Sequence, residues 1–138
     1  MSQQDIELRI ENRKRQRKDK NKLSSEVGIN GEEIAGLYLI QHGYSILDRN
    51  WNLHKGCELD IVAVKNGKLH FIEVKTRSSD KYGTPESAIN YKKKVNIYRA
   101  LRAYRYRRGL MEKDYQIDSI AIIYRSDANY ELKHFEDI

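Results

Sequence analysis

The chain has 138 residues, 39% of them hydrophobic and 33% charged, and its 26 Lys and Arg against 20 Asp and Glu leave a formal net charge of +6. That length suits one domain with a real core, and the basic excess favours a polyanionic partner. The single Cys57 excludes an intramolecular disulfide framework and a cysteine-based zinc site, no apolar run reaches membrane length, and the basic N-terminus lacks the apolar segment of a signal peptide, so a cytoplasmic soluble protein is expected.

Residues 1–24 are almost all polar and rich in Arg and Lys, with Ile6 and Ile10 an isolated start to a helical stripe. They read as a mobile basic extension, open to nucleic-acid contact or to no role at all. The folded domain is expected over residues 25–138. A first helix is predicted from Ser24 or Ser25, with a hydroxyl cap and Glu26 in its first turn; Val27, Gly31, Ile34, Ala35 and Tyr38 form its stripe, and it stops near Gly43. Glu32 lies off the stripe and by itself reads as an exposed helix glutamate. Tyr44 to Trp51 reads as the first strand, leading through His54-Lys55-Gly56 into the next; His54 could meet phosphate or carry a proton, or simply be exposed.

The centre of the chain is a hairpin. Cys57 to Val64 and Leu69 to Arg77 are β-branched, largely apolar runs joined through Asn66-Gly67, the dipeptide that best tolerates the two positive φ angles of a type I′ turn. With Lys65 facing Lys68, an unbulged ladder sets Asp60 opposite Glu73 and Glu58 opposite Lys75, and period-two alternation sends all four side chains to one face. Opposed like charges repel, at a Cβ separation of roughly 4.5–5.5 Å. A hard divalent cation between Asp60 and Glu73 offsets that repulsion, since Mg²⁺ is typically held by one or two carboxylates, and Lys75 would touch a phosphate or orient the attacking water. The competing reading is a solvated sheet face. Against it, Val62, Val64, Leu69 and Phe71 continue the charged face while Leu59, Ile61, Ala63, Ile72 and Val74 line the other, and strands apolar on both sides are covered on both sides.

A second helix is predicted from Thr84-Pro85-Glu86 to Gly109, burying Ala88, Tyr91, Val95, Ile97, Tyr98, Ala100, Leu101 and Tyr104. Between Lys92 and Arg108 its cations, among them Lys92, Lys93, Arg99 and Arg102, meet no acid in sequence. Such a face interleaved with tyrosines fits nucleic-acid backbone contact and base stacking; a soluble helix whose charges meet acids elsewhere fits as well. Tyr115 to Tyr124 reads as an interior strand, Asp127-Ala128-Asn129 as a turn, and Tyr130 to Phe135 as an edge strand. The order α-β-β-β-α-β-β gives an α/β fold, a mixed sheet with a helix on each side.

Gly31-Glu32 with Ala35, Gly43-Tyr44, Arg49-Asn50-Trp51, Glu58-Leu59-Asp60-Ile61, Glu73-Val74-Lys75-Thr76-Arg77, Pro85 with Ala88, Lys93, and Ile117-Asp118 resemble the YraN-like bacterial family. That family is regarded as predicted endonucleases similar to archaeal Holliday junction resolvases of the PD-(D/E)XK superfamily. The resemblance runs from about Val27 to Tyr124, with Glu-Val-Lys-Thr-Arg its most specific segment. It implies a restriction-endonuclease-like core, with Asp60 and Glu73 as ligands of Mg²⁺ or Mn²⁺, Lys75 as the catalytic lysine and Glu32 as the acid from the first helix. Where the family usually has Gly-Glu, Cys57 stands in place of the glycine, a change that bears on strand entry at Glu58.

The function expected from this is metal-dependent cleavage of DNA, branched or otherwise structured DNA included, with Arg77, Lys92, Lys93, Arg99 and Arg102 on the nucleic acid. A homodimer is implied by the junction-cutting relatives, since two symmetric cuts need two sites. The alternatives are a non-catalytic nucleic-acid-binding module that retains the fold, and a scaffold in a larger complex.

Overall fold

The computed structural model describes residues 30–77, 90–126 and 129–138. Its elements run in the expected order: α1 (Gly31–Gln41), β1 (Ser45–His54), β2 (Cys57–Lys65), β3 (Lys68–Arg77), α2 (Tyr91–Arg107), β4 (Tyr115–Ser126) and β5 (Asn129–Phe135). Asn66 and Gly67 hold φ of 52° and 74°, the pair of positive values a type I′ turn requires. Lys65 pairs with Lys68, and the ladder keeps that register to Ile61 opposite Ile72.

One five-stranded sheet has the order β1-β2-β3-β4-β5. Neighbours are antiparallel except β3 and β4, which are parallel. A parallel pair needs a crossover, and α2 lies in that connection. β4 is interior and β5 is an edge, as their sequences suggest.

The sheet is covered on both faces. Ala35, Leu39 and Ile40 of α1 pack with Ile46, Ile61, Ala63, Ile72, Ile120 and Ile122 on one side. On the other, Ile97, Ala100, Leu101 and Tyr104 of α2 pack with Val62, Leu69, Phe71 and Ile117. Each large apolar side chain so buried contributes about 1.5–3 kcal/mol.

Three expectations need correction. A single helix from Ser24 or Ser25 does not continue through Asn30, which has extended backbone and whose side chain accepts the N–H groups of Glu32 and Glu33; a true cap here starts α1 at Gly31. Tyr91 and Tyr98 are 84% and 44% exposed, because the buried stripe of α2 is Ile97, Ala100, Leu101 and Tyr104 and residues 91 and 98 lie across the helix from it. Leu59 joins Cys57 and Trp51 on the α2 side rather than Ile61 and Ala63 on the other. There Asn50 of β1 takes a φ of 49° and Asp60 falls outside the regular β2–β3 ladder, so side-chain alternation slips by one. Asn90 caps the described part of α2 by accepting the Lys93 N–H; the Thr84-Pro85-Glu86 start, the cap at Ser24 or Ser25 and the basic extension lie outside the described residues.

Candidate functional site

Beyond Ile61 and Ile72 the central hairpin opens. Instead of a backbone pair, the Asp60 carboxylate accepts the Val74 N–H at 2.8 Å. This swings Asp60 inward beside Glu73, which is 5% exposed. Together with Glu58, Gly56 and, from α2, Lys93, Asn96 and Ile97, the two carboxylates line a cleft of about 220 Å³. The sheet contributes the acids and α2 supplies the opposite wall.

Burial first, then the charge and hydrogen bond of Glu73, raise the Asp60 pKa from its ordinary value to about 7, with the Val74 N–H and Lys93 opposing the rise. Two carboxylates held together in a half-dry cleft thus store repulsion, the condition a cation relieves. In this protein the Lys93 ammonium pairs with Glu73. Lys75 follows Glu73 on the same face of β3; burial lowers its pKa, Lys93 and Arg77 lower it more, and Glu73 and Asp60 act in the other direction.

The residues expected at the site divide as follows. Asp60 and Glu73 meet, and Glu58 reaches the same cleft as an exposed rim residue. Glu32 sits half-buried in the first turn of α1 and is not part of the cleft wall. Its neighbour Gly31 abuts β3 so closely that a Cβ there would lie 1.9 Å from Thr76 Oγ1, which brings the start of α1 to the strand position next to Lys75. Arg77, Lys92, Arg99 and Arg102 are exposed. His54 is exposed, with its ring against the Lys55 carbonyl.

Some of the α2 cations do find acids or rings within the fold. Arg108 pairs with Asp48 at 2.9 Å, Arg105 bonds the Met111 carbonyl and stacks on Tyr115, and Arg107 lies over Trp51. Tyr104 donates to the same Asp48 at 2.7 Å, tying the end of α2 to β1. Cys57 enters β2 buried, its thiol directed at Asn96 of the cleft, with the β1–β2 register shifting between Asn52 and His54 opposite it.

A second polar centre, with no signal in the local sequence, lies on the other face of the sheet. Asp118 is fully buried; its Oδ2 lies 2.8 Å from His70 Nδ1 and 2.9 Å from His134 Nε2, and its Oδ1 accepts from Gln116 and from the Asp137 N–H. Burial works against this anion, but the bonds from His134, Asp137, Gln116 and His70 outweigh it and hold the carboxyl down at about 2. Only the family resemblance points to Asp118, and no local pattern ties it to histidines 48 and 16 positions away.

The family model described as "Uncharacterised protein family UPF0102" matches residues 31–122. A UPF0102 protein of Clostridium acetobutylicum is 38% identical over 118 residues, covering 85% of this chain and 96% of the relative. One from Chlorobium phaeobacteroides is 40% identical over 116 residues, covering 80% and 91%, and one from Alkaliphilus oremlandii is 37% identical over 116 residues, covering 83% and 98%. The match contains α1, the central hairpin and the strand bearing Asp118, and on it the chain belongs to the UPF0102 family, the YraN-like family its motifs resemble.

Proposed function

We propose that the protein is a metal-dependent endonuclease acting on DNA. The observation that carries this reading is the convergence of Asp60 and Glu73 in a cleft that also admits a cation from α2. The donor set fits the group that PD-(D/E)XK resemblance implies: two carboxylate oxygens, one of them resisting ionisation until positive charge arrives, suit a hard divalent ion that keeps several waters. When bound by Asp60 and Glu73, Mg²⁺ or Mn²⁺ supplies Lewis-acid stabilisation of phosphoryl charge and acidifies water.

The chain's own groups do the rest. Asp60, anchored by the Val74 N–H, keeps its orientation as it loses its proton. Lys75, with its pKa lowered, orients the attacking water at the phosphorus and gives up its proton more readily than an ordinary lysine. Lys93 leaves Glu73 for the scissile phosphate, and Glu32 serves from the start of α1. Arg77, Lys92, Arg99 and Arg102 hold the flanking backbone, and the exposed Tyr91, Tyr98 and Tyr106 present rings to bases along α2.

Branched, linear and single-stranded DNA incubated with the full chain and Mg²⁺ or Mn²⁺ test this. Cleavage that needs metal and falls by at least about a hundredfold in Asp60→Ala and Lys75→Ala supports the assignment. Metal-dependent cleavage that survives both substitutions removes these residues from the chemistry. Salt-sensitive DNA binding that ignores Asp60→Ala, with no cleavage by the folded wild type under any of these conditions, favours a binding module instead.

A further inference from the structure

Asp118 and the rings around it form a second candidate site, on the α1 face of the sheet and toward the opposite end of β3 from Lys75. A ring nitrogen of His70, an Asp118 oxygen and a Glu136 oxygen all lie within 4.8 Å of one another. His134 Nε2 approaches the same Asp118 oxygen at 2.9 Å. The set draws on β3, β4, β5 and the segment after it, so its members are distant in sequence.

The groups behind these atoms are those that orient ligands. Tyr38 Oη lies 3.1 Å from His134 Nδ1, which fixes the far side of that ring. Tyr44 donates to Glu136 at 3.5 Å and packs edge-on to His70. Ligating imidazoles in proteins characteristically bond a partner through the other nitrogen, and ligating carboxylates are themselves hydrogen-bonded. Asp118 and Glu136 are carboxylates, and Asp118 Oδ2 is hydrogen-bonded to both imidazoles.

We propose that His70, Asp118 and Glu136, with His134 or water completing the shell, bind a divalent transition metal of the zinc class. Mixed imidazole and carboxylate donors suit Zn²⁺ better than Mg²⁺, which prefers oxygen alone. Metal–donor bonds of about 2.0–2.2 Å need ligand atoms some 3–4 Å apart. His70 and Asp118, now 2.8 Å apart in a hydrogen bond, must part slightly as the metal takes the place of the shared proton, and Glu136, exposed and beyond the last residue of β5, closes in from the other side. On binding, the ligating nitrogen of His70 gives up any proton it carries, to the other ring nitrogen or to solvent. The metal clamps the C-terminal segment onto β3 and β4, a structural role separate from the cleft of Asp60.

The test uses the full chain without a histidine tag, carrying Glu73→Gln to remove uptake at the cleft. Co²⁺ is the probe, read by visible d–d absorption and by competition with Zn²⁺. The proposal expects one Co²⁺ per chain, displaced by Zn²⁺, with affinity falling at least about tenfold on adding Glu136→Gln and absorption lost on adding His70→Gln. Glu136 is exposed, so that substitution leaves a folded protein even where a change at buried His70 does not. A folded Glu73→Gln chain that binds no Co²⁺ overturns the proposal, and the cluster is then a hydrogen-bond cage alone. Co²⁺ binding as tight in Glu136→Gln as in its parent overturns it too.

Discussion

Asp60 shows how one carboxylate can be both a cost to the fold and, in the proposed reading, a ligand for a metal. Its folded pKa is raised by burial and then by Glu73, to about 7 against an ordinary 3.8. Between those values the native protein holds a proton that the unfolded chain has lost, so the contribution of Asp60 to stability is fully present below about pH 4 and is lost as pH rises through 7. Asp60→Asn retains an oxygen for the Val74 N–H and cannot ionise. Thermal unfolding between pH 4 and 8 is therefore expected to show the wild type losing, relative to Asp60→Asn, on the order of 2 kcal/mol once solvent screening is allowed for. Parallel pH profiles for the two proteins would contradict the assignment of repulsion to this pair. The register from Lys65–Lys68 to Ile61–Ile72 was legible in Asn66-Gly67, because a two-residue turn fixes which residues face each other; its extension to Asp60 opposite Glu73 and Glu58 opposite Lys75 was not kept, and Asp60 comes beside Glu73 with its carboxylate on the Val74 N–H. The opening of the ladder at Asp60, and the arrival of Lys93 from α2, were not legible: both depend on tertiary contacts with no local signature.

At the scale of elements, α1 is set against the sheet by two glycines as well as by the packing of Ala35, Leu39 and Ile40. Gly31 leaves 1.9 Å between a hypothetical Cβ and Thr76 Oγ1, and Gly36 does the same against the Arg49 guanidinium. The Arg49 contact is the end of a long, adjustable side chain, whereas Thr76 is short and held on β3. Gly31→Ala is thus expected to cost about 1–3 kcal/mol through overpacking. Adding Thr76→Ala should recover most of that loss, giving a coupling well above 0.5 kcal/mol in a double-mutant cycle by denaturant unfolding; additive losses would contradict the contact. The helix content of both segments was legible from periodicity, but their faces were read less well. Tyr91 and Tyr98 look apolar enough to bury, yet the α2 stripe that packs is Ile97, Ala100, Leu101 and Tyr104. An aromatic ring counts equally for a core and for a binding face, so the spacing of the tyrosines alone does not say which side of the helix they take.

For the molecule as a whole, charge is divided between what the fold uses and what it leaves outside. Arg108 and Lys93 are absorbed by Asp48 and Glu73, while Lys92, Arg99 and Arg102 project from the outer face of α2. If that face holds a nucleic-acid backbone, Arg99→Glu with Arg102→Glu should weaken DNA binding about equally across sequences and reduce the slope of log K against log salt by about one for each phosphate that is no longer neutralised. An unchanged slope would assign those cations to solvation. The mixed sheet with a helix on each face was legible from the order of apolar runs, and the central hairpin from the turn between two of them. The cage around Asp118 was not, since His70 and His134 reach it only once β3, β4 and β5 lie side by side.

Nuclease chemistry at this cleft requires, before anything else, that the Asp60 and Glu73 carboxylates accept a divalent cation. Anomalous diffraction from crystals of the full chain soaked in Mn²⁺ measures this directly. A peak in contact with both carboxylates, with Lys93 moved away from Glu73, is the predicted result. Saturating Mn²⁺ with no peak there and the Lys93–Glu73 pair intact would contradict it.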